Sequence, residues 1–151
     1  MGRALFAPKD APCGGPTPQH AARRPVTRMP PMPVELRVEW NVLPQQASAV
    51  GVAVQSVVNA SRRERGCLTC SLATEMGDPV TLRLREVWDS EPSLRRHVQS
   101  RRFATLAGLL ETAIEPPRFE VAVDGRVRGF DYVGEVRQDS EPGGASRSGF
   151  R

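Results

Sequence analysis

Residues 66–103, GCLTCSLATEMGDPVTLRLREVWDSEPSLRRHVQSRRF, carry the reading on which the fold depends. Gly66 stops whatever precedes it. Residues 67–75 read as a strand, and Met76-Gly77-Asp78-Pro79 is a turn by composition. Val80, Leu82 and Leu84 then alternate with Thr81, Arg83 and Arg85 in a strand that ends at Trp88. Ser90 is placed to cap a helix, with Glu91 where the helix dipole favours an anion. Leu94, His97 and Val98 share one face of that helix. A step at Ser100-Arg101-Arg102 is expected to bend it before Phe103, Leu106, Leu110 and Ile114 resume the stripe.

The flanks complete the pattern. Val34, Leu36, Val38, Trp40 and Val42 alternate with Glu35, Arg37, Glu39 and Asn41, which predicts a first strand. Pro44 opens a helix, where its missing N–H costs nothing. Ala47, Val50, Val54, Val57 and Val58 form its apolar stripe, and Gly66 is expected to close it as a left-handed cap. Pro116-Pro117 ends the second helical region. Phe119, Val121 and Val123 predict a fourth strand, Asp124-Gly125 a turn, and Phe130, Tyr132, Gly134 and Val136 a fifth strand.

The order β-α-β-β-α-β plus one C-terminal strand predicts an α+β, ferredoxin-like antiparallel sheet. Two helices cover one face of such a sheet. The other face is expected to keep several apolar side chains, too many to leave open, so a second copy of the chain is its simplest cover. Two such sheets packed face to face make a dimeric α+β barrel.

The chain has 151 residues, enough for one domain, and no apolar run long enough to cross a bilayer. Its net charge of +4 comes entirely from residues 1–33; residues 34–151 hold 16 cations and 16 anions. The folded part therefore offers no net field to a nucleic acid. Residues 1–33 contain eight of the 14 prolines and little apolar periodicity, which predicts a disordered tail. Met29 and Met32 stand just before the first strand, so the tail is expected to be an upstream extension, which N-terminal sequencing of native protein tests. Residues 34–137 form the predicted domain, and 138–151 a second loose tail. Three cysteines make no disulfide framework and fit a reducing cytoplasm. Cys67 and Cys70, three apart in a strand, are expected on opposite faces and thus not to share a metal.

These residues resemble the antibiotic biosynthesis monooxygenase (ABM) family of dimeric α+β barrels. The resemblance rests on Glu39-Trp40-Asn41-Val42-Leu43-Pro44, Ser61 through Arg65 before Gly66-Cys67-Leu68, Glu86-Val87-Trp88-Asp89-Ser90, and His97-x-x-Ser100 before Phe103. It spans about residues 34–123. It implies a homodimer with a cavity between sheet and helices in each subunit. It also implies oxygenation of small aromatics, phenols or quinols, with neither metal nor flavin. The haem-degrading branch of the family has a histidine where this chain has Ala107, with Leu106 and Gly108 beside it, so haem is not expected.

His97 is the sole histidine of the predicted domain, and its ordinary pKa near 6.5 suits it to take a phenolic proton. Its alternative is a structural bond to a backbone carbonyl. Glu86 falls on the apolar face of its strand, where a carboxylate needs a partner. It either pairs with an arginine or acts beside His97 in the site. Trp88 shares that face as an aromatic wall for substrate or as core. Asn41 and Phe103 complete the expected substrate-binding set. No Gly-rich dinucleotide fingerprint or metal cluster is legible, and the expectation is no cofactor. Three readings follow: an oxygenase, a non-catalytic dimeric module that binds a small molecule, or a structural domain with the Pro/Arg tail as an interaction arm.

Overall fold

The computed structural model describes residues 31–140. The chain runs β1 (Val34–Val42), α1 (Pro44–Ser61), β2 (Cys67–Glu75), β3 (Val80–Trp88), α2 (Glu91–Val98), α3 (Arg101–Leu110), β4 (Arg118–Val123), β5 (Arg126–Arg128) and α4 (Phe130–Gln138). The five strands form one open sheet in the order β2-β3-β1-β4-β5, every pairing antiparallel. This is the predicted α+β ferredoxin-like arrangement with its additional C-terminal strand. The tails expected at 1–33 and 138–151 fall mostly on residues 1–30 and 141–151, outside the described ones.

Strand parity determines what meets the helices. Val34, Leu36, Val38, Trp40 and Val42 of β1 pack with Val80, Leu82, Leu84 and Trp88 of β3 and Phe119 and Val121 of β4. Val50, Val54, Val57 and Val58 of α1 press on this layer, as do Leu94 and Val98 of α2 and Phe103, Leu106 and Leu110 of α3. Fully burying each such side chain contributes roughly 1.5–3 kcal/mol, enough to override the weak helix propensity of the valine-rich α1.

The structure corrects several local expectations. The fifth strand is Arg126–Arg128, hairpinned to β4 through Asp124-Gly125, whose φ angles are both positive. Residues Phe130–Gln138, expected as that strand, are helix α4. Tyr132 and Val136 lie four apart and are both buried, so the apparent alternation was one helical stripe. Helix α1 ends at Ser61, and Gly66 (φ +94°) closes the turns beyond it rather than the helix itself. The helical region breaks at Gln99-Ser100, where Ser100 Oγ accepts from the Phe103 N–H at 3.3 Å. Ser90 begins α2, but its hydroxyl bonds Asp89 and Ser93 side chains instead of capping backbone N–H groups. Ile114 lies past the end of α3 and is half exposed, its N–H donated to the Asn41 carbonyl at 2.9 Å.

Two corrections concern function. A β-bulge between Cys67 and Thr69 inserts Leu68 into β2. Cys67 then pairs opposite Trp88 and Cys70 opposite Glu86, so both thiols share the helix-covered face instead of opposing faces. The uncovered face, expected to keep several apolar side chains, keeps Ala73, Val87, Ala122 and Val127 but is largely charged. It carries Glu35, Arg37 and Glu39 from β1, Arg83 and Arg85 from β3, Glu75 from β2, and Arg118 and Glu120 from β4. Ion pairs lace it, including Arg83 to Glu39 (2.8 Å) and Glu75 (2.6 Å) and Arg85 to Glu35 (2.5 Å).

Candidate active site

β3 delivers Glu86 and Trp88 to the covered face because they continue the parity of Val80, Leu82 and Leu84. α2 sets His97 over them, on the stripe of Leu94 and Val98. Phe103, in the first turn of α3, closes the far side. The imidazole stacks on the Trp88 indole with centroids 4.7 Å apart and meets the Phe103 ring edge-on at 5.7 Å. Thus four of the five expected site residues, His97, Glu86, Trp88 and Phe103, lie together. Asn41 does not. It belongs to the opposite parity of β1, on the uncovered face, where it accepts from Thr81 Oγ1 at 2.7 Å and donates to Glu115.

A carboxylate at each end holds the ring. His97 Nδ1 is 3.0 Å from Glu64 Oε1, an oxygen that also takes the Arg102 guanidinium at 3.0 Å. His97 Nε2 is 3.3 Å from Glu86 Oε2, within ion-pair range but without hydrogen-bond alignment. Glu86 accepts from the Trp88 indole N–H at 3.0 Å and from Cys70 Sγ at 3.6 Å. The arginine expected for Glu86 and the carbonyl expected for His97 are therefore replaced by an indole, a thiol and two carboxylates. Glu64 escaped sequence reasoning because it lies in the irregular turn at 62–66, where no periodicity marks which side chains point inward.

Burial pulls the His97 pKa down, but Glu86 and then Glu64 outweigh it and hold it above the ordinary value. Burial, with Glu86 adding to it, pushes the Cys67 thiol up to about 11 and the Cys70 thiol upward too. Neither cysteine is a ready nucleophile at neutral pH.

The raised His97 pKa sets a pH dependence. A group that binds its proton more tightly when folded stabilises the fold fully below its unfolded pKa, about 6.5, and loses that contribution as pH rises through the folded value. The urea midpoint should therefore decline from pH 6.5 into the alkaline range. The decline should be absent in His97→Gln, which keeps a polar ring-sized side chain without a titration. Parallel wild-type and variant curves would contradict the shift.

Glu86 and His97 are both 0% exposed, and Trp88 and Phe103 are likewise enclosed. The space between sheet and helices, where the resemblance implies a cavity, is filled here by these side chains. Five of the hollows on the surface of the described residues have other linings. One of about 460 Å³ lies on the uncovered face among Arg37, Glu39, Arg83, Arg85, Arg118 and Glu120. No helix among the described residues is long and apolar enough to cross a membrane.

The family model described as "Antibiotic biosynthesis monooxygenase" matches residues 33–108, half of the chain. Among solved structures, a conserved protein from Methanosarcina mazei Go1 is 21% identical with a TM-score of 0.54, covering 60% of this chain and 90% of its own. Rv0793 from Mycobacterium tuberculosis is 23% identical with a TM-score of 0.53, covering 60% of this chain and 93% of its own. A structure described as an antibiotic biosynthesis monooxygenase is 17% identical with a TM-score of 0.53, covering 58% of this chain and 94% of its own. At these identities the likeness establishes the fold alone. No curated protein matches the chain.

Proposed function

This chain belongs to the antibiotic biosynthesis monooxygenase family, and we propose that it oxygenates a small electron-rich phenol or quinol with O₂, without a cofactor. The observation that carries this reading is the Glu86–His97 pair, two ionisable groups kept wholly inside an apolar core. Such a pair is costly to bury and gives little stability in return, so its retention fits a chemical task.

In this reading neutral His97 takes the phenolic proton at Nε2. The two carboxylates make it a stronger base and then steady the imidazolium it becomes. The electron-rich phenolate ring reacts with O₂ at a hydrogen-bearing carbon conjugated with its oxygen, para in a simple phenol and ortho in a quinol. One oxygen atom stays on that carbon as a carbonyl. The other leaves as water, taking the proton back from His97 and the hydrogen from the ring carbon. The balance is phenol plus O₂ to quinone plus water; the substrate supplies all four electrons, so no outside reductant is needed.

The imidazole is enclosed, so in this reading substrate enters as α2 and α3 part at the break between them, displacing Trp88 or Phe103. A second copy docks on the uncovered sheet in this proposal, arginine to glutamate across a two-fold axis. The same preparation should sediment as a dimer at low salt.

An oxygen electrode with a panel of phenols and hydroquinones tests the proposal. The expected result is one O₂ consumed per quinone formed, with one ¹⁸O atom from labelled O₂ in the product and no hydrogen peroxide, at a rate that falls about 10²–10⁴-fold in His97→Gln. The enclosure of His97 favours a second reading, a non-catalytic module in which the network only ties α2 to the sheet. Wild-type protein that consumes no O₂ across the panel would leave that reading in place.

A further inference from the structure

We propose that Glu64 is the positioning residue of His97: it holds the ring through Nδ1–H and so makes Nε2 the basic nitrogen, facing Glu86 and the interior. The proposal rests on the reading of His97 as the base, but its structural half stands without that reading.

The geometry fixes which nitrogen carries the proton. Glu64 Oε1 already accepts from Arg102 and lies 3.0 Å from His97 Nδ1. A carboxylate can only accept, so Nδ1 must donate. In the neutral ring the lone pair is then on Nε2, 3.3 Å from Glu86 Oε2. Two acceptors facing each other in a dry core make that nitrogen eager for a proton. Flipping the ring to exchange its nitrogens is opposed by the Trp88 face on one side and the Phe103 edge on the other.

The charged surroundings of the ring are few. Glu64 faces it from the turn between α1 and β2, and Glu86 from β3. Arg102 of α3 reaches Glu64, and Cys70 of β2 reaches Glu86, neither touching the ring. The side chains grade outward, from His97 at 0% exposed through Glu64 at 14% to Arg102 at 49%. The Nδ1 side of the imidazole therefore looks toward the surface and the Nε2 side toward the core. A proton accepted at Nε2 gives an imidazolium clasped at both ends, which can return that proton to the departing water without exchanging it with solvent.

Nitrogen-15 NMR of histidine-labelled wild-type protein tests the assignment directly. The expected spectrum above the His97 transition has Nδ1 protonated and Nε2 bare; a bare Nδ1 would overturn the proposal. In Glu64→Gln the transition should move to lower pH, and the pH profile of oxygen uptake should move with it. The kcat should fall by up to about 10⁴-fold, the scale of the orienting carboxylate in hydrolase triads, while KM changes little. Glu64→Asp should recover part of the loss. A purely structural Glu64 would lower the melting temperature while leaving the nitrogen shifts and the pH profile in place, and that outcome also overturns the proposal. Should wild-type protein consume no oxygen, the nitrogen shifts still decide whether Glu64 sets the tautomer, and only the oxygenase reading falls.

Discussion

Glu86→Ala should destabilise the protein by about 3–5 kcal/mol, the range for breaking a buried pair by deleting one partner. Two groups lose their acceptor, the Trp88 indole N–H and the Cys70 thiol, and His97 when protonated loses its counter-charge at Nε2. All three lie in the core, where water cannot replace the missing oxygen. A loss of this size is a large part of the 5–15 kcal/mol that holds a typical domain together. For a domain of roughly 100 residues it lowers the melting temperature by about 12–40 °C. Glu86→Gln, which keeps the shape and one carbonyl acceptor, should lose less than half as much. Urea titration of the three proteins at pH 7 measures the comparison. Equal stability of wild type and Glu86→Ala would mean that the carboxylate does not hold the network together.

Gly66→Ala should be nearly as damaging, for a different reason. Gly66 has φ +94°, a conformation that costs a residue with a Cβ roughly 1–2 kcal/mol. An added Cβ would also stand 2.3 Å from Ser93 Oγ and 2.6 Å from Ser93 Cβ, with Asp89 Oδ1 at 2.9 Å. Relieving that contact means moving the start of α2 away from the turn, at a cost of about 1–3 kcal/mol for overpacking. The total is about 2–5 kcal/mol. The turn that moves also carries Glu64, so the variant should perturb the His97 environment as well as the fold. In a Ser93→Gly background the two Ser93 contacts disappear while the Asp89 contact and the backbone part remain, so Gly66→Ala should cost less there than in wild type. An equal cost in both backgrounds would place the whole effect in the backbone and the Asp89 contact.

The sheet was legible because its strands alternate without interruption. Parity alone places Trp40, Glu86 and Trp88 on the covered face, and the helical stripe places His97 above them. The same parity puts Asn41 on the other side, next to Trp40 in sequence and across the sheet in space. Only the resemblance grouped it with His97. The same parity places Glu35, Arg37, Glu39, Arg83 and Arg85 on the uncovered face, which was nonetheless expected to be partly apolar. Other features leave no periodic signal. One extra residue, Leu68, moves Cys67 to the face of Cys70, and nothing in the sequence marks a bulge there. Residues 130–136 fit a period of two as well as one of nearly four, and only packing of Tyr132 and Val136 separates them. Glu64 sits in a turn between periodic elements, so its contact with His97 appears only in three dimensions.

These features give the family fold a closed interior with a base made more basic by its neighbours. Access to that base is the step on which catalysis depends. A crystal structure of the protein with a phenol analogue that cannot be oxidised tests it most directly. The account predicts the analogue's oxygen within hydrogen-bonding distance of His97 Nε2, with α2 and α3 parted and Trp88 or Phe103 turned aside. An analogue seated instead among the arginines of the uncovered face, above an unaltered core, would contradict it.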